Sequence, residues 1–182
     1  AAADEWPPPG VAVHDFAPPG VRAKAVHRIK VTLAGFRPPI WRRLEVPSDI
    51  SLLALHGVLQ LSFDWSDSHL WQFTAAGQVY GVGDIGVPHR DAKRVTIGEL
   101  APRDGATFEY LYDFGDEWVH RIRVEQVGPG DPEVGYPRCL TGRLAAPLED
   151  AGEFDDEDDD PDPFDVDELN GRLATFAARR RR

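Results

Sequence analysis

The chain has 182 residues, 42% of them hydrophobic, a single cysteine and a formal net charge of −11. That length suits one domain with a real core. Cys139 alone excludes an internal disulfide and a cysteine-based zinc knuckle, and no run of 18 apolar residues is present to span a membrane. The acidity is local: residues 149–168 hold 13 of the 31 acids and no Lys or Arg, so the remainder carries 20 basic against 18 acidic residues. A near-neutral body gives no strong electrostatic reason to look for nucleic acid.

One unpaired cysteine suits a reducing compartment, so a cytoplasmic protein is expected. Proline and acidic residues interrupt Ala1–Gly20 throughout, which does not read as a signal peptide. With no methionine even at position 1, the chain is expected to be less than its full translation product.

Residues 1–24 contain Trp6-Pro-Pro-Pro-Gly10 and Pro18-Pro19-Gly20 and read as an extended arm, better as a linker than as a groove ligand. Residues 25–34 alternate, with Ile29, Val31 and Leu33 on one side and Arg28, Lys30 and Thr32 on the other, as a half-exposed strand does. After a turn at Gly35–Pro39, Ile40–Val46 returns as a second strand. Ser48–Phe63 is the clearest helix: Ser48 or Ser51 can cap it, and Leu52, Leu55, Leu59 and Phe63 form its apolar stripe. Gly57 costs this helix about 1 kcal/mol relative to alanine. His56 reads better as a packed or boundary histidine than as a ligand.

His69–Thr74 is expected to be a short strand, with Val79-Tyr80 as another. Gly81-Val-Gly-Asp-Ile-Gly86 fits a dinucleotide fingerprint formally, but Val87-Pro88 follows where a helix would have to start, so a loop is the better reading. Val95–Leu100 is expected as a short strand or turn.

Phe108–Val127 organises the chain. Phe108, Tyr110 and Tyr112 share one face, as do Trp118, His120, Ile122 and Val124, so the stretch reads as a β-hairpin turning through Asp113-Phe-Gly-Asp-Glu117. If Gly115-Asp116 make the turn, Asp113 pairs with Trp118, and His120 lies opposite Leu111, diagonal to Asp113. A Gly/Pro-rich loop follows, then Cys139-Leu-Thr-Gly-Arg143 and Pro147-Leu-Glu-Asp150. The acidic run Asp155–Asp160 lacks the alternation, central glycine and closing glutamate of an EF-hand. Asp165 starts a final helix with an apolar stripe of Val166, Leu169, Leu173 and Phe176, and Arg179–Arg182 suit its C-terminal end.

The residues that could carry chemistry are His69, Asp113, Asp116, Trp118, His120, Glu149 and Asp150. A carboxylate beside an imidazole can orient a base or share a metal; against that stands plain turn chemistry, in which Asp caps the corner and histidine bonds locally. Asp113-Phe-Gly115 has no glycine-rich loop, strand lysine or catalytic-loop motif beside it, so a kinase is set aside. HExxH, GxSxG and Walker patterns are absent.

Several motifs come in one order. They are Ile40-Trp-Arg-Arg43, Leu55-His56, Trp65 with His69-Leu70 and Phe73, then Tyr112-Asp-Phe-Gly-Asp116 with Trp118 and His120. Cys139-Leu-Thr-Gly142, Pro147 with Glu149-Asp150, and Asp162-Pro-Phe-Asp165 with Asn170 and Leu173 complete the set. Over residues 25–176 the chain resembles the plasmid pRiA4b Orf-three-like family. The resemblance implies a compact α+β domain found in bacteria and on mobile DNA, and brings no established activity. The family's usual Pro-Pro-Glu-Asp, followed by a Gly-Gly pair and an extra helical stretch, stands here as Pro147-Leu-Glu-Asp150-Ala-Gly152 followed by the acidic run.

The expected architecture is an α+β fold: a mixed or mostly antiparallel sheet with an early ββα, β-grasp-like unit, one covering helix and a C-terminal helix. A Pro-rich arm (1–24) precedes a single domain (25–176) that contains an acidic loop (149–162), and an arginine tail (177–182) follows. The first functional expectation is a non-catalytic binding module for an unknown protein or small-molecule partner, with no cofactor, although a divalent metal would fit the acids and histidines. The alternatives are a metal-dependent hydrolase built on the same Asp/His cluster, or nucleic-acid association through Arg42, Arg43 and the arginine tail.

Overall fold

The computed structural model describes residues 23–150 and 163–178. The proline-rich arm up to residue 22, the acidic run and the tail from residue 179 therefore lie outside the described residues, and residues 177 and 178 belong to the last helix. The fold is α+β, a mixed sheet of eight strands with three helices. The strands are β1 (Ala25–Leu33), β2 (Ile40–Pro47), β3 (Trp71–Ala75), β4 (Gln78–Gly81), β5 (Arg90–Asp91), β6 (Thr107–Tyr112), β7 (Trp118–Pro129) and β8 (Arg138–Arg143). The helices are α1 (Leu52–Ser62), α2 (Ile97–Leu100) and α3 (Val166–Ala178). Across the sheet the order is β5-β4-β3-β6-β7-β1-β2-β8, antiparallel except for the short β4–β5 pair. The strand that follows α1 is β3, and it joins β4 and β6 rather than β1.

Strict alternation gives this sheet two unlike faces. Ile29, Val31, Leu33, Leu44, Phe73, Tyr110, Tyr112, Ile122 and Val124 point to one side and are fully buried under Leu52, Leu55, Leu59 of α1 and Leu169, Leu173 of α3. On the other side, Arg121 and Arg123 alternate with these core residues and are exposed. No element among the described residues covers that second face.

The helices start where their side chains can take up free amide groups. Ser51 caps α1 by accepting from the Ala54 amide at 3.1 Å. Asp165 Oδ1 accepts from the amides of Asp167 and Glu168 ahead of α3. The expected strand or turn at 95–100 is instead α2, because Thr96 and Glu99 form a reciprocal capping box. Asn170 then pins α3 to β8 with two bonds to the Cys139 backbone, 2.8 and 2.9 Å long.

Two buried polar residues stitch the layers together. His27 bridges Ser48 Oγ and the Ala101 carbonyl, and burial holds its pKa below the usual value. Arg42 sits on the covered face at 2% exposure. Its Nε donates to the Ser62 carbonyl at the end of α1, and its Nη1 to the carbonyls of Trp41, Arg143 and Leu144. The guanidinium lies 3.8 Å from the Phe164 ring centroid. Glycine is needed opposite it: a Cβ on Gly142 would come within 2.6 Å of that ring. Burial lowers the pKa of Arg42 to about 10.

Among the described residues, no helix is long and apolar enough to cross a membrane.

Candidate functional site

The site forms where three distant loops meet beside the β6–β7 corner. Its hairpin differs in register from the expected one. Tyr112 pairs with Trp118, and Tyr110 with His120, so Asp113–Glu117 is a five-residue loop. The reason is parity. Both aromatic stripes must face the core together, and a slip of one residue would have turned Trp118 outward. Asp113 and Glu117 take left-handed backbone conformations (φ 61° and 55°) to close this wider corner. Asp113 Oδ1 accepts from the amides of Gly115 and Asp116 at 2.9 and 3.3 Å. Its Oδ2 points the other way, 3.6 Å from His69 Nε2.

His69 comes from the loop between α1 and β3, with its ring edge-on to Tyr112. The third loop follows β8. Trp65 Nε1 donates to the Pro147 carbonyl at 2.9 Å and so fixes the approach of Glu149 and Asp150. Glu149 is filled by donors: the Ser66 amide and hydroxyl at 2.8 and 2.7 Å, the Ser68 hydroxyl at 3.2 Å, and the Tyr112 hydroxyl. Burial alone would push the Glu149 carboxyl up, but these bonds outweigh it and hold it below the usual carboxylate range. Burial and the bond to Glu149 push the Tyr112 phenol well up. Asp150, also left-handed at φ 56°, places Oδ1 3.0 Å from His69 Nε2. One ligand atom each from His69, Asp113 and Asp150 lies within 4.8 Å of the others.

The structure thus brings His69, Asp113, Glu149 and Asp150 together. Trp118, paired with Tyr112, packs on Trp65 instead, 9% exposed and 5.8 Å away between ring centroids. Asp116 sits exposed on the corner. His120 goes elsewhere. It is fully buried opposite Tyr110, between Phe63 and Trp65, with Nδ1 3.2 Å from the Tyr110 carbonyl. Burial drives its pKa down to about 3, so it remains a neutral core histidine. Arg42 is equally enclosed, and Arg43 is held by Glu125 at 2.6 and 3.0 Å, which leaves neither as a free basic contact.

Below the site lies a buried ring of hydrogen bonds. Gln60 Nε2 donates to the Tyr110 hydroxyl (2.9 Å), which donates to His56 Nδ1 (2.6 Å). His56 Nε2–H donates to Asp67 Oδ1 (2.6 Å), and the Asp67 amide donates to Gln60 Oε1 (2.8 Å). His56 also stacks on Trp71 at 4.0 Å. This ring anchors the Ser66-Asp67-Ser68 turn, which in turn holds Glu149. None of Asp67, Ser66 or Ser68 stood out in the sequence. The available signal was His56 and Gln60, two polar residues four apart on an otherwise apolar helix face.

These features describe an α+β protein with a one-sided sheet and an imidazole–carboxylate cluster at one end of it. The family model described as "Plasmid pRiA4b ORF-3-like protein" matches residues 25–158, and the chain belongs to that family. It is 40% identical over 131 residues to "Uncharacterized protein y4hQ" of Sinorhizobium fredii (strain NBRC 101917 / NGR234), covering 70% of this chain and 67% of that one. Among solved structures it resembles a protein of unknown function, MM3350 from Methanosarcina mazei Go1, with a TM-score of 0.66 and 34% identity over 71% of this chain and 75% of the other.

Proposed function

We propose that this domain is a cytoplasmic, non-catalytic binding module whose site is the cluster of His69, Asp113 and Asp150, and that the cluster takes a divalent cation. The observation that carries this reading is the convergence of three ligand atoms within 4.8 Å from segments far apart in the chain. One imidazole with two carboxylates suits Zn²⁺ or Mn²⁺. Such a set leaves coordination positions open for an anionic group of a protein or small-molecule partner. The non-catalytic part of the reading rests on Glu149. One of the two acids that a hydrolase on this cluster could use as base is occupied, since Glu149 is already filled by Ser66, Ser68 and Tyr112.

Titration of the full chain with Zn²⁺ and Mn²⁺, followed by calorimetry and by Tm, tests it. The expected result is one equivalent bound with a rise in Tm. His69→Ala, Asp113→Asn and Asp150→Asn should each weaken binding by more than about ten-fold. Asparagine is chosen at 113 because it keeps the turn-capping oxygen and tolerates the left-handed backbone. A wild-type chain that takes up neither ion ends the proposal. Metal-dependent cleavage of a generic phosphodiester, lost in Asp113→Asn, would instead favour the hydrolase.

A further inference from the structure

We propose that the open face of the sheet carries a second site, independent of the His69 cluster, which binds the phosphate group of a small phosphorylated molecule. A cavity of about 550 Å³ lies there, of the size that small-molecule sites have. Its wall includes Lys30, Thr32, Thr107, Glu109, Arg121 and Arg123, and the β3–β4 turn closes one end. The register explains why these side chains gather. Lys30 is paired across strands with Arg123, Thr32 with Arg121, Thr107 with Arg123 and Glu109 with Arg121.

Two like charges placed directly opposite each other destabilise a sheet. Three other cations on this face are compensated: Arg43 by Glu125, and Arg28 and Arg138 both by Glu45. Lys30, Arg121 and Arg123 are closed into no salt bridge among the described residues, although Glu125 lies near enough to feel the Lys30 charge and Glu109 stands opposite Arg121. Lys30 is held at the rim by the Trp41 ring, 4.7 Å from Nζ to the centroid. Among the described residues the cavity wall thus gathers three cations against one acid, Glu109. Three cations round one cavity match one compact dianion better than a long polyanion, which would need free cations along a track. Arg121 and Arg123 are two residues apart on β7, about 6.6 Å, so two guanidinium forks and an ammonium can converge on one phosphate. Thr32 and Thr107 offer hydroxyls to its oxygens, and Glu109 can accept from a hydroxyl on the rest of the molecule.

The test is titration of the full chain with inorganic phosphate and with adenosine monophosphate at fixed ionic strength, read by calorimetry and amide chemical shifts. Saturable binding is expected, with shifts centred on residues 30, 121 and 123. The double variant Lys30→Gln/Arg123→Gln should weaken it at least about ten-fold while leaving the circular dichroism spectrum and the Zn²⁺ titration unchanged. That unchanged Zn²⁺ response keeps this site separable from the His69 cluster. No saturable binding, or equal binding by the double variant, overturns the proposal. So does an oligothymidylate whose affinity rises with length well beyond that of the mononucleotide, which would make the face a nucleic-acid track.

Discussion

On the covered face of the sheet, Arg42, His56 and His120 are enclosed, and backbone carbonyls or neighbouring side chains take up Arg42 and His56. On the open face, Lys30 faces Arg123 across the strands and Arg121 faces Thr32 and Glu109, and none of the three cations is closed into a salt bridge among the described residues. One strand, β7, supplies both sets: His120 to the covered face, Arg121 and Arg123 to the open one. The difference teaches that polar residues inside this fold serve to hold loops, while its uncompensated charge is left where a ligand could reach it. If that is right, the covered face should answer to mutation in stability, and the open face in binding.

The largest effect is expected at Arg42. Removing the guanidinium in Arg42→Ala leaves the Ser62, Trp41 and Leu144 carbonyls unpaired and opens a void under Phe164. A loss of about 4 kcal/mol in urea unfolding is expected. Arg42→Lys keeps the charge but not the fork, and should recover less than half of the loss. Full recovery by lysine would mean that charge, not the donor geometry, is what matters there. Tyr110→Phe comes next. It deletes one oxygen but strands His56 Nδ1 and Gln60 Nε2, for an expected loss of about 1–3 kcal/mol. Because the ring anchors the Ser66–Ser68 turn, this variant should also weaken the Zn²⁺ titration, although Tyr110 touches none of the three ligands.

Acid should separate the two faces as well. His27, His56 and His120 all have pKa values lowered by burial, His120 to about 3. The unfolded chain takes up protons near pH 6.5 while the folded chain refuses them. Their contribution is therefore complete above about pH 6.5 and shrinks as pH falls, by up to about 1.4 kcal/mol per pH unit per histidine. Glu125 and Glu149 have lowered values too, but their contribution is lost only below the unfolded carboxylate value of 4.5. Between pH 6.5 and 5 the histidines dominate. His120→Leu should flatten the slope of stability against pH in that window by close to one proton. An unaltered slope would show that His120 is not held neutral.

How much of this was legible in the sequence depends on the range of each interaction. The alternation in 25–33, 40–47 and 107–129 fixes which residues face the core, since the pattern is local. That same alternation already rules out the pairing of Asp113 with Trp118, because Tyr112 and Trp118 share a face only in registers an even number of residues from the observed one. Reading the corner from its glycine instead put Asp113 opposite Trp118 and His120 within its reach. The five-residue loop rests on left-handed Asp113 and Glu117, a conformation that asparagine and aspartate tolerate but do not announce. β8 was missed for another reason. Cys139-Leu-Thr-Gly-Arg143 has too little alternation, and its pairing with β2 spans about a hundred residues. For the cluster, His69, Asp113, Glu149 and Asp150 could be picked out as chemically able residues. Their meeting depends on Trp65 holding Pro147 and on Asp67 locking into α1, which no local pattern encodes.

The smallest expected effect gives the sharpest test of the open face, because it turns on a sign. Arg43 holds Glu125 with two bonds, so Arg43→Gln should cost a few tenths of a kcal/mol, as a half-exposed pair does. Arg123 faces Lys30 across the strand pair, so Arg123→Gln should relieve repulsion and stabilise by a similar few tenths. Both changes alter the net charge equally, so any general charge effect cancels between them. Raising the salt to 1 M, where the screening length is about 3 Å, should shrink both differences toward zero. Careful urea midpoints on the two variants at low and high salt are enough to read this. If Arg123→Gln destabilises as much as Arg43→Gln does, then Arg123 has an intramolecular partner after all, and the cavity beside it loses the uncompensated charge on which phosphate binding depends.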